Sequence, residues 1–129
     1  MSAAIRVIAL ISCFIVFTNS YHCSVSVRVT SKTDKKFKAL VVIPALGVQS
    51  LPMIFRKRGT KKVQINGEDC GKKPWMIRTF TWKKHQWKPA KNITAKFQGN
   101  GWIRMIVGDD LVPHAMDRFG IACFEGACG

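Results

Sequence analysis

Three histidines, His22, His85 and His114, stand in a chain of 129 residues with 21 lysines and arginines against seven aspartates and glutamates. Small basic secreted ribonucleases use such an inventory: two imidazoles act as acid and base, and a lysine holds phosphate charge in the transition state. No motif links the three. His85 sits in a lysine run, His114 follows Pro113, and His22 abuts the end of an amino-terminal leader. A small secreted basic hydrolase of the ribonuclease kind is therefore the alternative reading. It depends on two imidazoles and a lysine meeting in one cleft. No Gly-x-Ser-x-Gly occurs, and the carboxylates do not suggest a pair for glycoside cleavage. Gly108-Asp109-Asp110, joined by Asp117 or Asp69, offers hard oxygens for calcium, but the helical-loop calcium spacing is absent. Aspartates that cap a short element or offset lysines explain these residues more simply. No catalytic group, resident metal or cofactor is expected.

Five cysteines are present, and one of them, Cys13, falls in the leader. The remaining four, Cys23, Cys70, Cys123 and Cys128, make two disulfides in an oxidising compartment, with three possible connectivities. No Cys-x-x-Cys pair occurs, which argues against zinc. Joining Cys23 and Cys70 each to a carboxy-terminal cysteine would close the longest loops and stabilise most, by about 3 to 5 kcal/mol apiece. A local Cys123–Cys128 bridge around Gly126 stays open. Asn92-Ile93-Thr94 is an N-glycosylation acceptor, and if NITAKF is a strand then Asn92 lies on its solvated side.

The lysines fall in three loops: Arg56, Lys57 and Arg58 with Lys61 and Lys62; Lys72 with Lys73; and Lys83 and Lys84 with Lys88 and Lys91. If hairpin loops share a sheet end, the first and third sum their fields. Trp82 and Trp87 enclose Lys83-Lys84-His85-Gln86, the length of a four-residue hairpin loop. The two rings then form a cross-strand pair, or else they lie exposed to stack on sugars or enter a lipid headgroup region. The dibasic Lys57-Arg58 could direct processing, but a cut there would fall inside the expected sheet.

The elements that position these residues begin with a leader. Arg6 precedes an apolar run from Val7 to Phe17, and Thr18-Asn19-Ser20 supplies small residues at a cleavage site, the pattern of a secretory signal peptide over residues 1–20. Eleven residues at about 1.5 Å each fall well short of a bilayer core of about 30 Å. No transmembrane segment is expected elsewhere, since VVIPALGV is short and broken by proline. Residues 21–129 suffice for one extracellular domain.

Period-two alternation dominates that domain. CSVSVRVT, FKALVVIP, MIFR, VQIN and WMIRTFTW read as strands, and KFQGNGWIRMIV reads as two apolar segments joined by a hairpin over Gln98–Gly101. VPHAMDRF alone suggests a helix, with Pro113 in its first turn and Asp110 near its start. The expected fold is an all-β, disulfide-linked antiparallel β-sandwich, with an open β-barrel second and at most one short carboxy-terminal helix.

Charge is uneven along the chain. Residues 21–100 hold 18 basic and three acidic side chains, whereas residues 101–129 hold Arg104 and Arg118 against four carboxylates. Such a single-sign surface attracts polyanions. The expected object is a secreted, basic, non-enzymatic binding protein, for which defence or host interaction is a fitting use. It would recognise a sulfated glycan, an anionic lipid surface or an acidic protein through Arg56, Lys57, Arg58, Lys61, Lys62, Trp82, Lys83, Lys84, Trp87, Lys88 and Lys91. An extracellular address disfavours nucleic acid.

Overall fold

The computed structural model describes residues 21–129, and the leader at 1–20 lies outside the described residues. Eight strands follow in order: β1 (His22–Ser31), β2 (Phe37–Ile43), β3 (Val48–Gln49), β4 (Met53–Phe55), β5 (Gly59–Glu68), β6 (Trp75–Lys83), β7 (Gln86–Val107) and β8 (Pro113–Gly126). Two single-turn 3-10 helices, Pro44–Leu46 and Cys70–Lys72, interrupt them. The small disulfide-linked all-β fold expected from the alternation is present. All eight strands join one hydrogen-bonded sheet that curls into an open half-barrel, with the central order β3-β2-β6-β7-β1-β5. Strand β4 also pairs with β2, and β8 pairs with β7.

Alternation explains the inner face. In β1 the even positions after His22 stay half-exposed while Val25, Val27 and Val29 are buried, and in β2 Phe37, Ala39, Val41 and Ile43 are buried in the same way. Trp75 and Ile77 of β6 and Phe97, Ile103 and Met105 of β7 complete the core, where Trp75 meets the Phe97 ring edge-on with centroids 5.4 Å apart. A buried indole needs a partner for its N–H, and Trp75 Nε1 donates to the Cys70 carbonyl at 2.9 Å.

Strand β7 is the organising element. Its first half, to Ala95, lies antiparallel to β6, and its second half runs between β8 and β1. The β1–β7 pairing is parallel, from Ser24 opposite Asn100 to Ser31 opposite Val107, whereas the other pairings are antiparallel as expected.

Two local expectations need correction. The Gln98–Gly101 hairpin does not form, because β7 continues through it with an irregular register between Gly99 and Trp102. The glycines serve backbone approach instead: a Cβ at Gly99 or Gly101 would overlap the carbonyl oxygens of Gly120 or Phe119 on β8. The helix over Val112–Phe119 is absent, for that segment begins β8, with Pro113 and Ala115 buried and His114 and Met116 exposed. Pairing with β7 satisfies the backbone groups on the side facing that strand, whereas so short a helix would leave most of its end groups unpaired. Asp110 accepts the Val112 N–H at 3.0 Å and shapes the β7–β8 turn instead of capping a helix.

The disulfides join Cys23 to Cys70 and Cys123 to Cys128. The longer-loop pairings are not used, and the local carboxy-terminal bridge is.

Candidate anionic-partner interface

Strand register brings three basic loops to one end of the sheet. Ser31 at the end of β1 lies opposite Gly59, so the β4–β5 turn of Arg56, Lys57 and Arg58 adjoins the β1–β2 loop. Phe37, which follows that loop, lies between Phe55 of β4 and Thr81 of β6. Shortly past Thr81 the β6–β7 hairpin turns at Lys84 and His85. The turn residues of the first and third clusters, Arg56, Lys57 and Arg58 with Lys83 and Lys84, therefore share an end, whereas the rest of each cluster runs along a strand. Lys32, Lys35 and Lys36 of the β1–β2 loop join them, and no sequence motif had singled these three out. Lys72 and Lys73 lie at the opposite end, beside Asp69 and the start of β1.

The β1–β2 loop is held in place by buried polar contacts. Thr33, itself buried, donates its hydroxyl to Asp109 Oδ1 at 2.6 Å and accepts the Lys35 N–H at 3.1 Å. Ser31 Oγ donates to the Thr33 carbonyl at 3.0 Å, and Lys35 Nζ reaches the Asp109 carbonyl at 2.8 Å. Asp34 meets Arg58 at 3.3 Å, with both side chains largely in solvent. These contacts fix the loop while leaving Arg56, Lys57, Lys32, Lys83 and Lys84 exposed.

The hairpin tip is tighter than the four-residue loop expected. Lys83 pairs with Gln86, which leaves Lys84 and His85 as a two-residue turn with φ of 50° and 60°. Trp82 and Trp87 are direct cross-strand partners, with centroids 4.9 Å apart and planes at 66°. The ring faces already carry cations. Lys36 Nζ lies 4.2 Å from the Trp82 centroid and 5.5 Å from that of Trp87. Lys38 Nζ sits 4.6 Å from Phe80 and 5.2 Å from Trp87, and the Arg78 guanidinium is 5.0 Å from Phe80. The rings thus order lysines on the outer face of β2 and β6, and a stacked sugar would have to displace Lys36. Sequence reasoning overlooked Lys36, Lys38, Arg78 and Phe80. Lys38, Arg78 and Phe80 occupy the outward positions of alternating strands, and neighbours across strands come only from register.

The other candidates are dispersed. Lys88 is half-buried beside Thr81, Lys91 is exposed further along β7, and Lys61 and Lys62 lie on β5. Lys61 Nζ is 5.8 Å from the Phe55 ring, which stacks on Phe37 at 4.7 Å. Asn92 is exposed on β7 opposite Arg78, the solvated side expected of it. Among the described residues no group of three or more histidine, cysteine, aspartate or glutamate side chains is arranged to hold a metal ion.

The histidines occupy separate elements: His22 begins β1 at the end opposite His85, and His114 lies on β8, 3.7 Å from Asp110. They are not brought together with a lysine. Hydrogen bonding from the Val112 N–H, followed by the His114 side chain, holds the Asp110 carboxyl below its ordinary range. At the far end the Tyr21 N–H, followed by Lys72, does the same for Asp69.

No known protein family, no curated protein and no solved structure matches this chain.

Proposed function

We propose that this protein is a secreted, non-enzymatic binding protein that recognises an anionic partner through the basic end of its sheet. One observation carries the reading: Lys32, Lys35, Lys36, Arg56, Lys57, Arg58, Lys83 and Lys84 converge from three loops, against Asp34 and Asp109. Fields from clustered like charges sum, and Asp34, Asp109 and Asp110 offset only part of them, so a polyanion gains more there than at scattered lysines. Sulfated glycan, anionic lipid headgroups and acidic protein all supply the complementary charge.

Affinity for a sulfated polysaccharide tests it. With about five charges neutralised, affinity falls about a hundredfold between 50 and 200 mM salt, by counterion release. Charge reversal at Lys57, Arg58, Lys83 and Lys84 flattens that dependence, whereas reversal at Lys72 and Lys73 leaves it nearly unchanged. A salt-independent affinity, or equal effects from both sets, means the lysines are a solvated face.

Secretion belongs to the same proposal, supported by the leader pattern, the two disulfides and the exposure of Asn92. Among the described residues no helix is long and apolar enough to cross a membrane. Protein secreted by a eukaryotic host should start at Tyr21, lose mass on removal of N-glycans, and gain four hydrogens on full reduction. Retention of residues 1–20, or four free thiols in native protein, contradicts it.

A further inference from the structure

The half-barrel is open along one seam, and that seam joins one free strand edge to much of the basic charge. Strand β5 pairs with β1 along one side and ends the sheet. Strand β4, which precedes it, stays on β2, so the turn Arg56–Arg58 crosses from one margin of the sheet to the other. Among the described residues no strand pairs with the outer side of β5. A hollow of about 470 Å³ opens where Phe55 and Ile54 of β4 face Gly59, Thr60 and Lys61 of β5. A second, of about 270 Å³, follows along the seam between Leu51 and Lys62, Val63 and Gln64. Leu51 is 82 % exposed beside it.

The geometry points to a docking edge for an extended acidic peptide, which would add a strand to β5. This rests on the anionic-partner reading and names its partner class. The backbone of a long edge strand offers a row of donors and acceptors that another strand can pair with, and neither a sulfated glycan nor a lipid headgroup can continue that ladder. The strand up to Gly67, at about 3.3 Å per residue, gives a track of roughly 30 Å. Lys61 and Lys62 on the edge, with Arg56, Lys57 and Arg58 at its end, select what pairs there. They repel a second copy of this basic edge, and a neutral or basic strand gains little from them, so the charge that usually blunts an edge here favours acidic chains. Leu51 and the half-buried Val63 supply apolar contact for alternate side chains of the incoming strand. The occupant is therefore an extended segment alternating acidic with β-branched residues.

The probe is a fluorescent ten-residue peptide alternating glutamate and valine. Its control keeps every glutamate, and so has equal charge, but has its two central valines replaced by proline, which removes ladder donors. The full described chain, residues 21–129 with disulfides formed, is titrated with each peptide and separately with sulfated polysaccharide. The expected result is binding of the alternating peptide at least tenfold tighter than the proline control, with slowed amide exchange along Gly59–Glu68. Reversal of Lys61 and Lys62 to glutamate should weaken both peptides, because the edge then repels acidic chains, and unchanged affinity for both overturns the charge selection. Equal affinity for the two peptides overturns strand addition and leaves a purely electrostatic surface. Polysaccharide binding without peptide binding overturns it too, while the broader function stands. Failure of every anion overturns both.

Discussion

Asp69 shows how much one carboxylate ties together. Its Oδ1 accepts the Tyr21 N–H at 2.9 Å, its own N–H donates to the Tyr21 carbonyl at 2.7 Å, and Lys72 lies 3.4 Å from Oδ2. The Tyr21 hydrogen bond is the largest influence holding its carboxyl below the ordinary 3.8. A depressed folded-state pKa means stability that is present above the unfolded value and is lost as pH falls through the lower folded one. The melting temperature of native protein should therefore fall more steeply than that of Asp69→Asn below about pH 4, and the two should converge at the acid end. In the processed chain proposed above, the Tyr21 nitrogen is an α-ammonium, so the contact becomes an ion pair and the difference widens. Parallel curves across that range would show that the carboxylate contributes nothing there. None of this was legible in the sequence, because Tyr21 and Asp69 lie 48 residues apart and are brought together by the register of β1 and β5 and the neighbouring Cys23–Cys70 bridge. The tryptophans were more legible: a spacing of five with turn-compatible residues between them fits facing strand positions. Their cation partners came from β2 and the loop before it, in a different hairpin, and could not be read locally.

At the scale of elements, alternation in β1 was legible because it buries one face against the core, and β2 and β6 were legible as strands though not which of their residues face out. The second half of the chain misled for physical reasons. Gly99 and Gly101 carry the composition of a turn, but that composition serves equally where two backbones approach, and only the position of β8 decides between them. The segment from Pro113 is too short for helical periodicity to be distinguished from alternation. The β6–β7 turn offers a direct test of element energetics. Two-residue hairpin turns of this hand favour asparagine and glycine, because both central residues take positive φ, and Lys84 and His85 bear that strain instead. The double substitution Lys84→Asn with His85→Gly should stabilise the fold by about 1 kcal/mol and raise the melting temperature by about 4 °C. A loss of stability would mean that Lys84 or His85 makes a compensating contact.

Over the whole molecule, the two disulfides have different work to do. Cys23–Cys70 spans 47 residues and joins the start of β1 to the 3-10 turn after β5, with both residues fully buried under the core. Cys123–Cys128 spans five and closes the carboxy-terminal end onto β8, where both cysteines are only partly buried. In the chain-entropy account the first contributes about 4 kcal/mol and the second about 2, because closing a longer loop removes more freedom from the unfolded chain. The sequence left this pairing open among three connectivities, since loop length favours distant partners while the curl of the sheet decides which thiols meet. Reduction should follow burial as well as loop length. A thiolate must reach a sulfur to open the bond, so mild reductant should convert Cys123–Cys128 first and yield a species two hydrogens heavier before any four-hydrogen product. Alkylation at that stage should label Cys123 and Cys128, and the two-hydrogen species should keep a cooperative melt. Paired alanine replacement of Cys23 and Cys70 should lower the denaturant midpoint more than paired replacement of Cys123 and Cys128. If both bonds open together, burial does not govern their reduction, and if the carboxy-terminal replacement costs more, the short bridge and not the long one holds the half-barrel together.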